Sequence, residues 1–373
     1  MPAVSYTLYV NGSAAPPEVL ATIQQIEVED HADKADMLRL RMLTGVRESG
    51  SGWTLLDDEL FQRLTNLRLT INVGSNPGLP LIDAYIMDTR VKLSNTPGKS
   101  ELEIVAMDPT VLMTLDEKVR EWPNMSDSEV ASVLFGEYGF ETDIEDTTIS
   151  YDEDHSKTMQ RGNDMAFLKG LAKRNGYECF VELNDSGKAT GHFHKPRVQE
   201  TPQGVLSVNL GEATNVNAFN ARFNMLQPVV AVARSLDIDS AESQDGQAES
   251  SGLRNLGSGT TVDSSQPRRV LISGTGLSRV AELQNAAQAT VDRSSFAIVA
   301  EGELNTVAYG SVLKAKKLVM VRGAGTQFSG TYYVRKVLHA FSGEGYTQKF
   351  LVERNALGLE GTENFAEDNA LRD

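Results

Sequence analysis

Val4, Tyr6 and Leu8 alternate with Ser5 and Thr7 and run into the turn pair Asn11-Gly12, the two-residue period of a half-buried strand. Val19 to Asp30 and Met37 to Leu43 continue the series with broken alternation. Asn66 to Val73, Leu81 to Leu93 and Glu101 to Met107 follow, separated by Gly74-Ser75-Asn76-Pro77-Gly78 and Asn95-Thr96-Pro97-Gly98. Strands at this spacing predict a barrel or sandwich over residues 1–108, interrupted by one short helix from Asp57 to Leu64.

From residue 109 the pattern becomes mixed helix and strand. Ser126-Asp127-Ser128-Glu129 is a capping box leading into Val130, Val133 and Leu134, and Gly136 and Gly139 end that helix. Asn163-Asp164 offers the N-cap of a second helix, with Phe167, Leu168 and Leu171 as its apolar stripe and Lys169, Lys173 and Arg174 toward its negative end. Asn175-Gly176 closes it. The next strand sets Tyr177, Cys179, Val181 and Leu183 on one face and Glu178, Phe180 and Glu182 on the other. It turns at Asn184-Asp185-Ser186-Gly187 and returns through His192-Phe193-His194.

Strand-like sequence resumes from Val205 to Ile238. Asp239 to Gln266 is rich in Ser, Gly, Gln and acids and poor in large apolar side chains, so it is expected to be a mobile excursion. Then come a short strand (Arg269 to Ser273), a helix carrying Val280, Leu283, Ala287 and Val291, and strands at Phe296 to Leu304, Ser311 to Val321, Thr331 to Phe341 and Gln348 to Arg354. The last 14 residues hold five acids and one Arg, the composition of a solvated, disordered tail. The fold class that follows is α+β, mainly β.

The chain has 373 residues, with 35 Lys and Arg against 51 Asp and Glu, for a net charge of −16. That balance argues against a nucleic-acid binder working through a basic face. At 40% hydrophobic and 23% charged residues the sequence can fill two or three cores, which excludes wholesale disorder. No apolar run reaches the roughly 20 residues a bilayer demands, and Met1 to Tyr6 lacks a basic segment before an apolar core. A protein made in the cytoplasm, without a signal peptide and without membrane contact, is expected. Cys179, the one cysteine, has no internal disulfide partner.

Little chemistry is visible. Gly98-Lys99-Ser100 ends like a phosphate loop, but Leu93 stands where the first Gly belongs and a strand follows. Gly274 and Gly276 have dinucleotide-fold spacing, but Arg279 replaces the third Gly. His192 and His194 share a strand face with no carboxylate or thiolate at ligand spacing, although Cys179 is one strand away; they read as a surface strand. His31, His155 and His339 are isolated. Glu141 to Asp154 holds seven acids without the calcium-loop spacing and reads as a solvated loop. No cofactor, metal or catalytic residue is assigned, and a structural or assembly role is favoured over an enzyme.

Two blocks resemble the phage late control protein D family, the baseplate hubs of contractile tails, related to the N-terminal hub region of VgrG. The first runs from Met159 to Tyr177 and carries Gln160, Asp164, Phe167, Leu168, Leu171, Gly176 and Tyr177. The second is the closing hairpin with Gly330, Tyr332, Tyr333, Val334, His339, Gly345, Tyr346 and Arg354. These are expected to be fold determinants: Asp164 capping a helix, the apolar residues docking it, Gly176 in its C-cap, and Gly330 permitting a tight backbone. The resemblance implies two tail-tube-like β-barrels, residues 1–108 and 205–357, flanking an α+β part at 109–204, with 358–373 an acidic tail. It further implies a homotrimer forming a pseudo-hexameric ring between a sixfold inner tube, or tube initiator, above and a threefold spike below. Other baseplate subunits and a LysM-type adaptor are implied neighbours in a phage tail or injection particle, whose lumen an acidic protein would keep from holding a polyanion. Nothing after Arg354 supplies a VgrG-like needle. A cell-wall glycan hydrolase or a glycan-binding tail-tip module is the alternative.

Overall fold

The computed structural model describes residues 4–48, 50–73, 78–149, 158–184, 186–236, 243–262, 265–273, 277, 279–361 and 363–365. The turn at Gly74–Pro77, the acidic run from Ser150 to Asp154 with His155, Asp185, the pair Gly274 and Gly276, and Ala366–Asp373 lie outside them. The fold is α+β, mainly β.

The N-terminal half is an antiparallel sheet of β1 (Val4–Val10), β2 (Ile23–His31), β3 (Met37–Leu43), β4 (Asn66–Val73), β5 (Leu79–Lys92) and β6 (Glu101–Met107), in the spatial order β2-β3-β6-β5-β4-β1. Its alternating residues bury Leu8, Ile26, Leu40, Leu69 and Ile104 in one core. The helix expected at Asp57 to Leu64 is only a 3-10 turn, Glu59–Phe61, bounded by the extended backbone of Asp58 and Gln62.

The middle part comprises α1 (Asp127–Glu137), β7 (Glu141–Ile144), α2 (Asp164–Asn175), β8 (Glu178–Leu183) and β9 (Ala189–His194). Ser126 and Glu129 close the predicted capping box of α1. Residue Asn163, not Asp164, caps α2, its Oδ1 accepting the Ala166 N–H at 2.9 Å. At the other end Gly176, at φ 69°, turns the chain so that Tyr177 N–H reaches the Ala172 carbonyl at 2.8 Å. Strands β8 and β9 are antiparallel, and β7 adds parallel to β9. Cys179, Val181 and Phe193 on one face pack against α1 and α2 in a second core.

The C-terminal half contains β10 (Val216–Phe223), β11 (Val229–Leu236), β12 (Ser243–Ala248), β13 (Arg268–Ile272), α3 (Val280–Ser295), β14 (Ile298–Leu304), β15 (Leu318–Arg322), β16 (Gly330–Ser342) and β17 (Gly345–Arg354). Tyr332, Val334, Phe350 and Val352 centre a third core.

Three expectations for this half need correction. The stretch Asp239 to Gln266 is not a mobile excursion over its described residues. Its Ser243–Ala248 segment is a strand paired with β11, and Leu256 is buried against Phe296 and Tyr333. Large side chains are lacking because α3 lies directly on the strand: a Cβ on Gly246 would collide with the Leu283–Gln284 backbone. Ser311 to Val321 is a strand only from Leu318, since the N–H groups of Leu313, Lys314 and Ala315 donate to side chains of Gln348, Gln203 and Asp30 at 2.7–2.9 Å. The described start of the acidic tail is held in place: Glu360 pairs with Arg254 at 2.7 Å, and Arg322 Nη1 donates to the Phe365 carbonyl at 3.0 Å.

Both halves belong to one 13-stranded sheet. Strand β16 does this by changing partners along its length. Its first residues pair with β15, and from Lys336 to Ser342 it pairs with β2 of the other half. The eight strands β10-β14-β17-β16-β2-β3-β6-β5 run antiparallel in that order.

Candidate functional site

Registry across these eight strands puts Asn220, Glu301, Leu351, Lys336, Glu29, Arg39, Glu103 and Arg90 on one face, and the apolar cores on the other. The polar face is laced by cross-strand ion pairs: Lys349–Glu303 (3.7 Å), Lys336–Glu29 (3.0 Å), Arg39–Glu27 (3.1 Å) and Arg39–Glu103 (3.1 Å). Exposed pairs of this kind add little stability each; they keep a large sheet face wet and charge-balanced.

Among the described residues one end of this band is open and the other is open over part of its length. Strand β10 pairs only with β14. Strand β5 pairs with β4 only as far as Tyr85; a bulge after Ile86 leads to Asp88–Lys92, which pairs with β6 alone. Met87 and Val91 on this overhang are 49% and 48% exposed, and beyond β10 Met225 and Leu226 are 68% and 73% exposed.

The junction of the halves is held by buried charge. Arg335 sits at the β16 bulge where the partner changes, 3% exposed. Its guanidinium reaches Glu178 of β8 at 2.7 Å, Glu353 of β17 at 2.9 Å and Asp33 after β2 at 3.4 Å. Burial opposes its charge, but the three carboxylates outweigh that and hold its pKa above the ordinary value. Tyr333 adds a hydrogen bond to Glu178 at 2.5 Å. A second cluster surrounds Lys316, whose Nζ lies 2.6 Å from Asp30 and 2.9 Å from Asp36. Burial would discharge Lys316, yet Asp30, Asp36 and Glu182 raise its pKa well above the usual range. The burial of Asp36 beside Asp30 and Asp108 pushes its own carboxyl well up, despite Lys316.

The polar face of the middle sheet points into this junction. Glu178, Phe180 and Glu182 of β8 stand on it with His192 and His194 of β9 and, across the parallel pair, Asp143 of β7. Asp143 Oδ2 is 3.0 Å from His192 Nδ1 and 4.0 Å from His194 Nε2. Arg197 Nη2 lies 2.5 Å from both Asp143 oxygens. The histidines are not a surface strand: His194 is 4% exposed, and Phe180 stacks on His192 with ring centroids 4.5 Å apart. Burial and then His194 lower the His192 pKa to about 4. Cys179 faces the helices on the opposite side, its thiol pushed up to about 12 by burial.

The residues singled out in the two sequence blocks form three separate groups. Gln160 donates to Asp164 at 2.6 Å and accepts from Trp122 at 3.2 Å; Asp164 also accepts from Lys118 (2.5 Å) and Tyr138 (2.6 Å). Leu168 and Leu171 are buried beside them, Phe167 stacks on Trp122, and Tyr177 meets Phe193 edge-on. In the closing hairpin Arg354 is fully buried and donates to the carbonyls of Leu256, Ser329 and Gly358. Gly330, at φ 134°, leaves the space its guanidinium fills, and Tyr332 lies beneath it. His339 Nδ1 meets the Tyr346 hydroxyl at 2.7 Å near the turn at Gly345; Val334 is buried in the core. Of all these only Tyr333 touches the junction. Arg335, Lys316, Asp30 and Asp143 carry no sequence signal, since their partners lie on distant strands.

A family model described as Alg8 N-terminal domain matches residues 1–343. Among curated protein sequences none matches. Solved structures share the fold at low identity. The 43 kDa tail protein of prophage MuSo2 from Shewanella oneidensis is 14% identical with a TM-score of 0.66, over 95% of this chain and 99% of that one. A tail protein from Neisseria meningitidis is 10% identical with a TM-score of 0.67, over 95% and 98%. An E. coli component of the type VI secretion system, described as similar to bacteriophage T4 tail proteins, is 11% identical with a TM-score of 0.55, over 94% and 78%.

Proposed function

We propose a structural role in a contractile tail or injection particle for this chain, which belongs to the Alg8 N-terminal domain family and has the fold of prophage tail proteins. In this reading it is a baseplate hub of the late control protein D kind, a trimer whose ring joins a sixfold inner tube to a threefold spike. Residues 1–108 and 205–357 are its two tube-like units, and the block residues from Gln160 to Arg354 are determinants of that fold.

The observation that carries the reading is the eight-strand antiparallel band with one wet face, an open edge at β10 and an open overhang of β5 at Asp88–Lys92. Eight is even, so β10 of one copy meeting the β5 overhang of the next extends the antiparallel alternation unbroken. Three copies then close a ring of three times eight strands, four from each half. Closure removes both edges, which a monomer would have to protect, and covers the exposed Met87 and Val91. The like number of strands from each half makes three chains resemble six, which is what a sixfold tube needs from a threefold support.

Charging the edge tests this. The double variant Ala218→Lys, Asn220→Lys changes two exposed β10 residues. It is expected to keep the wild-type circular dichroism and melting temperature but to lose assembly with itself and with tube and spike proteins. Assembly unchanged from wild type would count against edge-to-edge closure.

A further inference from the structure

We propose that Asp143, His192 and His194 bind a divalent transition-metal ion of the zinc type, tying β7 to β9. One ligand atom from each residue lies within 4.8 Å of the others. The backbone brings them together: His192 and His194 are two apart on one strand face, and the parallel register sets Asp143 opposite His192.

The decisive group is His194. Its Nδ1 is 2.7 Å from the Lys195 carbonyl, which can only accept, so Nδ1 carries the proton. In the neutral ring Nε2 is then the lone-pair nitrogen, free to ligate. That atom is buried and has no hydrogen-bond partner among the described residues, on a side chain 5% exposed. It faces the Asp143 carboxylate oxygen at 4.0 Å, too far for a hydrogen bond. A buried lone pair aimed at an anionic oxygen is unfavourable unless a cation stands between them. The Lys195 carbonyl fixes the ring as outer partners of metal-bound imidazoles do. If His192 ligates through Nδ1, its Nε2 points toward Glu182, 3.7 Å away, a second partner of the same kind.

Two imidazoles and a carboxylate select zinc, cobalt or nickel over magnesium or calcium, which prefer all-oxygen shells. Arg197 shares Asp143 from its outer side and is 40% exposed, so it competes for the carboxylate without sealing the site. Removing the Arg197 charge should therefore tighten metal binding.

The test is titration of the chelator-stripped full chain with zinc by calorimetry, and with cobalt by visible absorption. One ion per chain is expected, with a dissociation constant below about 10 μM and a higher melting temperature when zinc is present. His194→Gln should abolish it. Because that residue is buried, the less buried His192→Gln and Asp143→Asn, checked for native circular dichroism, should each weaken binding at least tenfold. Arg197→Gln should strengthen it. Binding weaker than about 10 μM, or stoichiometric binding that survives all three ligand substitutions, overturns the proposal.

Discussion

Arg335 shows how much of this molecule depends on single buried charges. Its guanidinium is the only cation bonded to Glu178 among the described residues, so Arg335→Met strands a buried carboxylate. Loss of one member of such a cluster costs about 3–5 kcal/mol, and urea unfolding should register a fall of that size. His339 makes a prediction about acid. Burial lowers its pKa to about 4, against about 6.5 in an unfolded chain. Between those values the unfolded state binds the proton and the folded state does not. The histidine's contribution is thus complete above pH 6.5 and lost as pH falls through 4, with a ceiling of about 3 kcal/mol. In His339→Gln the stability profile between pH 4 and 6.5 should flatten by that share, while His192 keeps its own. Of these residues the sequence made His339 and Arg354 visible through their family setting. Arg335, Lys316 and Asp143 were invisible, because a basic or acidic residue ordinarily faces water and their partners are up to 302 residues away.

Among the elements, those legible in the sequence are the ones whose local signals agree with their packing. The capping box at Ser126, the apolar stripe of α2 and the Gly176 C-cap are local devices, and each appears where the residues place it. The two strand failures of the C-terminal half have one cause: tertiary partners replacing local ones. Gln348, Gln203 and Asp30 take the N–H groups that would have made Leu313 to Ala315 a strand, and α3 supplies the apolar cover that β12 lacks in its own sequence. If Gly246 is the point of closest approach to α3, Gly246→Val should force β12 off the helix. Limited proteolysis should then cut within 243–262 at a rate well above wild type, with little change in the N-terminal half. Resistance equal to wild type would mean that the helix can shift to accommodate it.

At the scale of the whole molecule, the patterning anticipated a mainly β fold but not that two halves form one sheet, since that rests on β16 meeting β2, some 300 residues earlier. The net charge of −16 also gains a location, or rather loses one. The wet face of the eight-strand band pairs its acids with Arg39, Arg90, Lys336 and Lys349, so a ring lined by that face would be charge-balanced and not the acidic channel that composition alone implies. Ring closure by three copies is read from the light-scattering mass of the purified chain, alone and co-expressed with tube and spike proteins. A species of three times 40.7 kDa is expected, alone or with its partners. A single-chain mass at every concentration, in the presence of both partners, would contradict it.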